Sequence, residues 1–186
     1  MMCIHQAGLE MENMILEPIA SASAVLFEDE KEAGVAIVDI GGGTTDIAVF
    51  YDSIIYHTAV IPFGGNVITE DIRKGCSIIK KHAEEIKVKF GSAVAVENSD
   101  DEVVSIPGIR GREAKEISFK NLASIIQARL EEIFDLVNFE IQKVNSEHKL
   151  IAGIVLTGGG AMMKHIRQLA EFKTGLEVRL GYPNEY

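Results

Sequence analysis

Clustered glycine constrains this chain most. Eight of its 17 glycines stand in three groups: Gly41-Gly42-Gly43, Gly64-Gly65 and Gly158-Gly159-Gly160. Such clusters let backbone press against a turn, a neighbouring strand or a ligand. The first group sits in Asp39-Ile40-Gly41-Gly42-Gly43-Thr44-Thr45-Asp46, between two apolar runs. A glycine loop there offers backbone N–H groups to phosphate oxygens. No Gly-Lys-Ser/Thr follows, so this is not a Walker loop. An apolar run follows where a dinucleotide-binding turn would open a helix. The loop therefore joins two antiparallel strands. Asp39 ends a buried strand, where a carboxylate suits the water shell of Mg²⁺, a hard ion that prefers oxygen. Thr44 and Thr45 add hydroxyls, and Asp46 a second carboxylate. A plain hairpin is the alternative, but three glycines, two threonines and two aspartates exceed what a turn needs.

Patterning around the loop predicts a meander. Residues 35–39 form a nearly continuous apolar run, typical of a strand buried on both faces. Residues 47–51 and 54–61 are two further strands around the turn Asp52-Ser53. Upstream, a short strand at 14–16 and a helix over 18–27, with Pro18 at its first position, are expected. Residues 28–34 read as a polar turn. Gly64-Gly65 opens a helix over 66–74 that Gly75 breaks, and Ser77 caps the next, which runs to about residue 89. Residues 94–97 and 102–106 read as a hairpin, 107–112 as a glycine-rich turn and 115–117 as a third short strand. Ser118 caps a helix to about residue 144, with Leu122, Ile125, Ile126, Leu130, Ile133, Phe134, Val137 and Ile141 on its apolar stripe. A strand at 150–156, a loop, a helix over 161–173 and a strand at 176–180 complete the chain. Residues 73–120 look like an insertion forming a smaller subdomain. Residues 13–72 and 121–186 form the larger one.

The remaining signals are weaker alone. Thr157-Gly158-Gly159-Gly160-Ala161 is strand, glycines, helix, and fits a dinucleotide-binding turn, close packing or nucleotide binding equally. Paired with the first loop it gains weight, because two glycine loops can pinch one nucleotide. Met162 and Met163 offer apolar contact to a base, or core packing. Glu84 and Lys87 are three apart and share a helix face; a solvated ion pair is the simpler reading. Glu17 suits either orienting an attacking water or the helix dipole. Five histidines and two cysteines show no ligand or nucleophile spacing. A net charge of -10 argues against wrapping nucleic acid, which needs a basic face. Arg110, Arg112 and Lys115 read first as a solvated turn, though in an acidic protein they also make a small positive patch. No apolar run approaches the roughly 20 residues of a membrane helix.

Taken together, these segments resemble the actin/Hsp70 ATPase superfamily, with Asp39 to Asp46 similar to its second phosphate motif and Leu156 to Met163 to its adenosine motif. Glu17-Pro-Ile-Ala-Ser, the run 35–50, His57-Thr-Ala-Val-Ile-Pro, Pro107-Gly-Ile-Arg-Gly-Arg-Glu, Leu156-Thr-Gly-Gly-Gly and Val178-Arg-Leu-Gly-Tyr-Pro narrow the resemblance to the FtsA family of bacterial cell division. It covers nearly all of this chain but only the second half of that family's ATPase core. The fold it implies is α/β: an RNase H-like mixed sheet with helices on both faces and a small inserted α+β subdomain. It also implies that the first half of the core precedes Met1. An amphipathic membrane helix would follow Tyr186.

By the same resemblance, the cofactors are ATP and Mg²⁺. Asp39 would organise the metal through water. Gly41, Gly42, Gly43, Thr44 and Thr45, with Asp46 just beyond, would cradle the β- and γ-phosphates. Gly65, Glu84 and Lys87 would line the ribose and base. Gly158, Gly159, Gly160 and Met162 would face the adenosine, and Glu17 would take the water-orienting position. The implied role is a scaffold at the inner face of the cytoplasmic membrane at the division site. It would polymerise into actin-like filaments and be at most a weak ATPase. The implied partner is the C-terminal tail of FtsZ, with Arg110, Arg112, Lys115 and Arg129 as basic groups beside Ile125 and Ile126. No nucleic-acid partner is expected. A small-molecule kinase or an Hsp70-like chaperone ATPase of the same superfamily is the alternative.

Overall fold

A computed structural model of the chain describes residues 2–108, 113–145 and 149–183. Its centre is a five-stranded sheet. Strand β1 (Val35–Ile40) pairs antiparallel with β2 (Thr45–Tyr51), and β2 with β3 (Ile54–Ile61). On its other side β1 pairs parallel with β6 (Ile154–Thr157), which pairs parallel with β7 (Val178–Leu180). The order is β3-β2-β1-β6-β7. Side chains alternate along each strand, so both faces of β1 must be covered. Val35 and Ile37, with Ala48, Phe50 and Val155, pack on Ala22, Val25 and Leu26. Those three belong to helix α2 (Glu17–Val25) and the residue after it. Ala36, Val38 and Ile40 face the main core on the opposite side. The only β1 residue not fully buried is Asp39.

The main core is built on α6 (Phe119–Asn145). Its expected stripe is buried except at Ile125, which is half-buried at the edge of the core, and Ser118 caps it by accepting the Asn121 amide at 3.2 Å. His57 on β3 and Glu140 on α6 meet at 2.8 Å. Helix α7 (Ile166–Thr174) lies on the same side through Ile166, Leu169 and Ala170. Along α6 toward its start lie α4 (Gly65–Cys76), α5 (Lys80–Phe90) and a hairpin of β4 (Val103–Ile106) with β5 (Lys115–Ser118). Residues 73–120 thus share one part of α6, while one continuous core joins them to the sheet.

Several local expectations are corrected. Residues 14–16 form no strand and are exposed, and a short helix α1 (Met2–Gln6) precedes them. The polar stretch after α2 is a helix, α3 (Glu28–Ala33), begun by the Glu30 carboxylate accepting the Phe27 amide at 2.9 Å. Gly75 does not break α4; a Cβ there would lie 2.8 Å from Ile125, so the glycine serves close helix packing. Ser77 does not cap α5 but ends α4 in a left-handed conformation. Residues 95–97 form a single 3₁₀ turn rather than a strand, and the Ala95 amide bonds Gln127 on α6 at 2.7 Å. The strand paired with β4 is therefore β5. The last helix is a 3₁₀ turn (Gly159–Met162) followed by α7, not one continuous helix.

Candidate functional site

A cavity of about 370 Å³ opens beside the carboxyl ends of β1 and β6. Gly41 and Gly42 wall one side, Gly159, Gly160 and Met162 another, and Gly65, Glu84 and Lys87 a third. The structure thus gathers the glycine loops and the Glu84–Lys87 pair around one space. Each wall has a local cause. The first loop closes as the Gly41 amide bonds the Thr44 carbonyl at 2.9 Å. The loop's own carbonyls then hold the start of α4: Gly65 N–H donates to Gly41 O at 2.9 Å and Asn66 N–H to Gly42 O at 2.8 Å. The second loop is forced tight against the first. Gly158 has φ +85°, and a Cβ there would stand 2.3 Å from Asp39 Oδ1. Only glycine takes that conformation and that contact without strain. A Cβ at Gly43 or Gly159, by contrast, would meet nothing within 4 Å among the described residues beyond its chain neighbours. Those two loops present bare backbone outward, a surface that admits phosphate oxygens closely.

Asp39 lies outside the cavity wall, half-buried at the strand end. Ser21 Oγ donates to its Oδ2 at 2.7 Å. An oriented carboxylate at this place, with Asp46 opposite it in the β1–β2 register, fits Mg²⁺ held through water, since Mg²⁺ keeps most of its waters. Glu17 begins α2, one turn before Ser21, and is exposed. Thr44 donates to Asp46 at 2.8 Å. Thr45 is buried, and its hydroxyl donates to the Phe63 carbonyl at 2.8 Å. Residues 45 and 46 therefore brace the loop from within rather than line the cavity.

Glu84 and Lys87 are joined at 2.8 Å on α5. Lys87 Nζ also donates to Gly65 O at 3.0 Å and to Thr69 Oγ1 at 2.9 Å. Burial pushes the Glu84 carboxyl up, but hydrogen bonds from Lys87 and Thr69 outweigh it and hold it below its ordinary range. Glu84 therefore stays ionised at neutral pH. Met162 is 69% exposed at the rim, while Met163 packs into the core. Sequence reasoning missed Asn66, Val88, Gly91 and Lys164 in the wall. Gly91 and Lys164 are brought together by tertiary contact, as Ser92 and Lys164 form an isolated parallel bridge and Ala93 N–H bonds Lys164 O at 2.8 Å, while Asn66 is placed by its bond to Gly42 O. No local pattern announces that approach.

The basic groups separate. Arg110 and Arg112 lie outside the described residues. Lys115 lines a second groove of about 160 Å³ with Ile78, Ile79, His82, Ile106 and Pro107. Arg129 is elsewhere, bonded to Asp71 at 2.6 Å, paired with Glu132 and set over the Phe63 ring. Ile126 is fully buried and Ile125 packs under α4, so neither forms a groove floor.

The sheet order, the helices on both faces and a cleft between glycine loops at the strand ends define an actin-like ATPase fold. MreB5 of Spiroplasma citri bound to ADP superposes with a TM-score of 0.81 at 26% identity, covering 96% of this chain and 57% of that one. The same protein bound to AMPPNP superposes equally well, over 95% and 56%. Within that class the chain belongs to the FtsA family. The family model described as cell division protein FtsA matches residues 36–186. The cell division protein FtsA of Neisseria meningitidis is 46% identical over 184 residues, 98% of this chain and 44% of that protein. The chain thus spans less than half the length of that relative.

Proposed function

We propose that this chain is the nucleotide-holding second half of an actin-like scaffold of bacterial cell division. One observation carries the reading: both glycine loops and the Glu84–Lys87 pair face a single cavity. ATP is the proposed ligand. Bare backbone at Gly41, Gly42 and Gly43, with Thr44, cradles the β- and γ-phosphates, and Gly158, Gly159, Gly160 and Met162 meet the adenosine. Gly65, Glu84 and Lys87 stand at the sugar. Mg²⁺, when bound, neutralises phosphate charge, and Asp39 orients its water shell. Glu17, one turn before Ser21, would orient a water at the γ-phosphate. Residues 13–72 and 121–186 form the larger subdomain and 73–120 the smaller.

The whole protein would assemble into filaments and tether FtsZ at the inner membrane face. For the FtsZ tail we place the site at the second groove. Its apolar floor (Ile78, Ile79, Ile106) and the cation Lys115 suit a short segment carrying apolar and acidic groups. Calorimetry with Mg-ATP on the intact protein tests the nucleotide reading. Binding that weakens on chelation and on Lys87→Ala supports it; binding indifferent to both sinks it.

A further inference from the structure

Thr69 is fully buried on α4, behind the cavity rather than in its wall. Its Oγ1 lies 2.5 Å from Glu84 Oε2, 2.9 Å from Lys87 Nζ and 3.0 Å from Gly65 O. Lys87 can only donate, so Thr69 accepts from it. The hydroxyl has one proton of its own. The nearer and charged acceptor is Glu84, so the proton is directed there. Lys87 in turn has three protons, and three protein acceptors hold them: Gly65 O, Thr69 Oγ1 and Glu84 Oε2. Both bonds to Glu84 fall on Oε2. Among the described residues, that leaves Oε1 as the polar atom the pair presents to a ligand.

A pair of long side chains three apart on a helix is ordinarily loose, because holding it in one geometry costs rotamer entropy. Here a buried hydroxyl fixed to a helix backbone pins both members. That helix is itself bonded at its start to the first glycine loop, through Gly65 and Asn66. We propose that Thr69 is the positioning residue of this site: it aims Glu84 Oε1 at a sugar hydroxyl and keeps the sugar contact in register with the phosphate loop. The inference rests on reading the cavity as a nucleotide site with Glu84 at the sugar. It assigns Lys87 to bracing, not to direct ribose contact.

The test compares ATP with 2′,3′-dideoxyATP by calorimetry on the intact protein. Wild type should prefer ATP about tenfold, the worth of one charge-assisted hydrogen bond. Thr69→Val, which keeps shape and loses the hydroxyl, should cut that preference to about twofold, and Thr69→Ser should restore it. Thr69→Ala serves if the valine variant does not fold. A valine or alanine variant with the wild-type preference overturns the positioning role and leaves the nucleotide reading intact. Wild type that binds both nucleotides equally overturns the sugar contact, and wild type that binds neither overturns the nucleotide site. A second measurement needs no nucleotide. The Glu84 carboxyl, followed by NMR titration, should move up toward its ordinary range in Thr69→Val. An unmoved titration overturns the contact.

Discussion

Ser21 Oγ donates to Asp39 Oδ2 at 2.7 Å, tying the first turns of α2 to the end of β1. Asp39 is thereby aimed by a helix that covers one face of the sheet, while its other oxygen occupies the space a side chain at Gly158 would need. A carboxylate so oriented is ready for a task. We expect Asp39→Ala to abolish the Mg²⁺ dependence of nucleotide binding. Ser21→Ala should keep it but raise the Mg²⁺ needed, by about threefold to tenfold for one lost hydrogen bond. Calorimetry across a Mg²⁺ series checks both. Wild-type behaviour of Asp39→Ala would refute the metal role.

Gly158 and Gly159 should part company. Gly158→Ala drives a Cβ into Asp39 at φ +85°, and should destabilise the chain by about 2 kcal/mol or more. Gly159→Ala meets open space, and should change stability by less than about 0.5 kcal/mol. It should nonetheless weaken nucleotide binding, by putting a methyl on bare backbone. Thermal melts with and without nucleotide separate the two effects.

Arg179 staples β7 to the turn between α2 and α3. It bonds both Glu30 oxygens at 2.5 Å and the Val25 carbonyl at 2.9 Å, and lies over the Phe27 ring. Burial pushes the Glu30 carboxyl up, yet the Arg179 hydrogen bonds, the Phe27 amide and the Arg179 charge outweigh it and hold it below its usual 4.5. A lowered folded value means a contribution that is complete above the unfolded value and fades as pH falls through the folded one. Arg179→Leu should cost about 1–3 kcal/mol at pH 7. The gap in melting temperature from wild type should begin to narrow as pH falls below about 4.5 and go on narrowing through the lower folded value. A gap constant down to pH 3 would show that the staple acts through packing alone.

For the peptide groove, Lys115→Glu should weaken binding of a labelled FtsZ tail peptide, since it reverses an exposed charge at the groove. Its melting temperature should stay near wild type. Arg129→Glu should instead lower the melting temperature, because it leaves Asp71 facing a like charge. Fluorescence anisotropy beside thermal melts distinguishes them. Peptide binding untouched by Lys115→Glu would move the site elsewhere.

What could be read from the sequence was whatever local chemistry decides. The meander around residues 35–61 was legible because continuous apolar runs bounded by glycine leave few alternatives. The apolar stripe of α6 was legible from its period. Helix α3 was not, because it buries no residue and rests on Glu30, whose partner Arg179 is far along the chain. The 95–97 turn misled because a short apolar run suits strand and turn alike, and Gln127 on α6 decides between them. In the site, glycine loops announced themselves. Thr69, Asn66 and Lys164 did not, since their relevance comes only from which elements meet. The cluster of basic residues was read as one patch, but Lys115 and Arg129 belong to different surroundings.

Helix α6 has 27 residues. Its later turns are pinned to the sheet edge by His57 and Glu140, and Arg129, nearer its start, is clamped to α4 by Asp71. Since α4 begins on the carbonyls of the first glycine loop, that clamp links the loop to the long helix. The geometry is that of a lever with its fulcrum at the sheet. From Glu140 to Phe119 the arm is about 32 Å, so a rotation of about 5° would sweep the Phe119 end through about 3 Å. Arg129 stands about halfway along that arm, so a shift entering at the clamp would be about doubled at the far end.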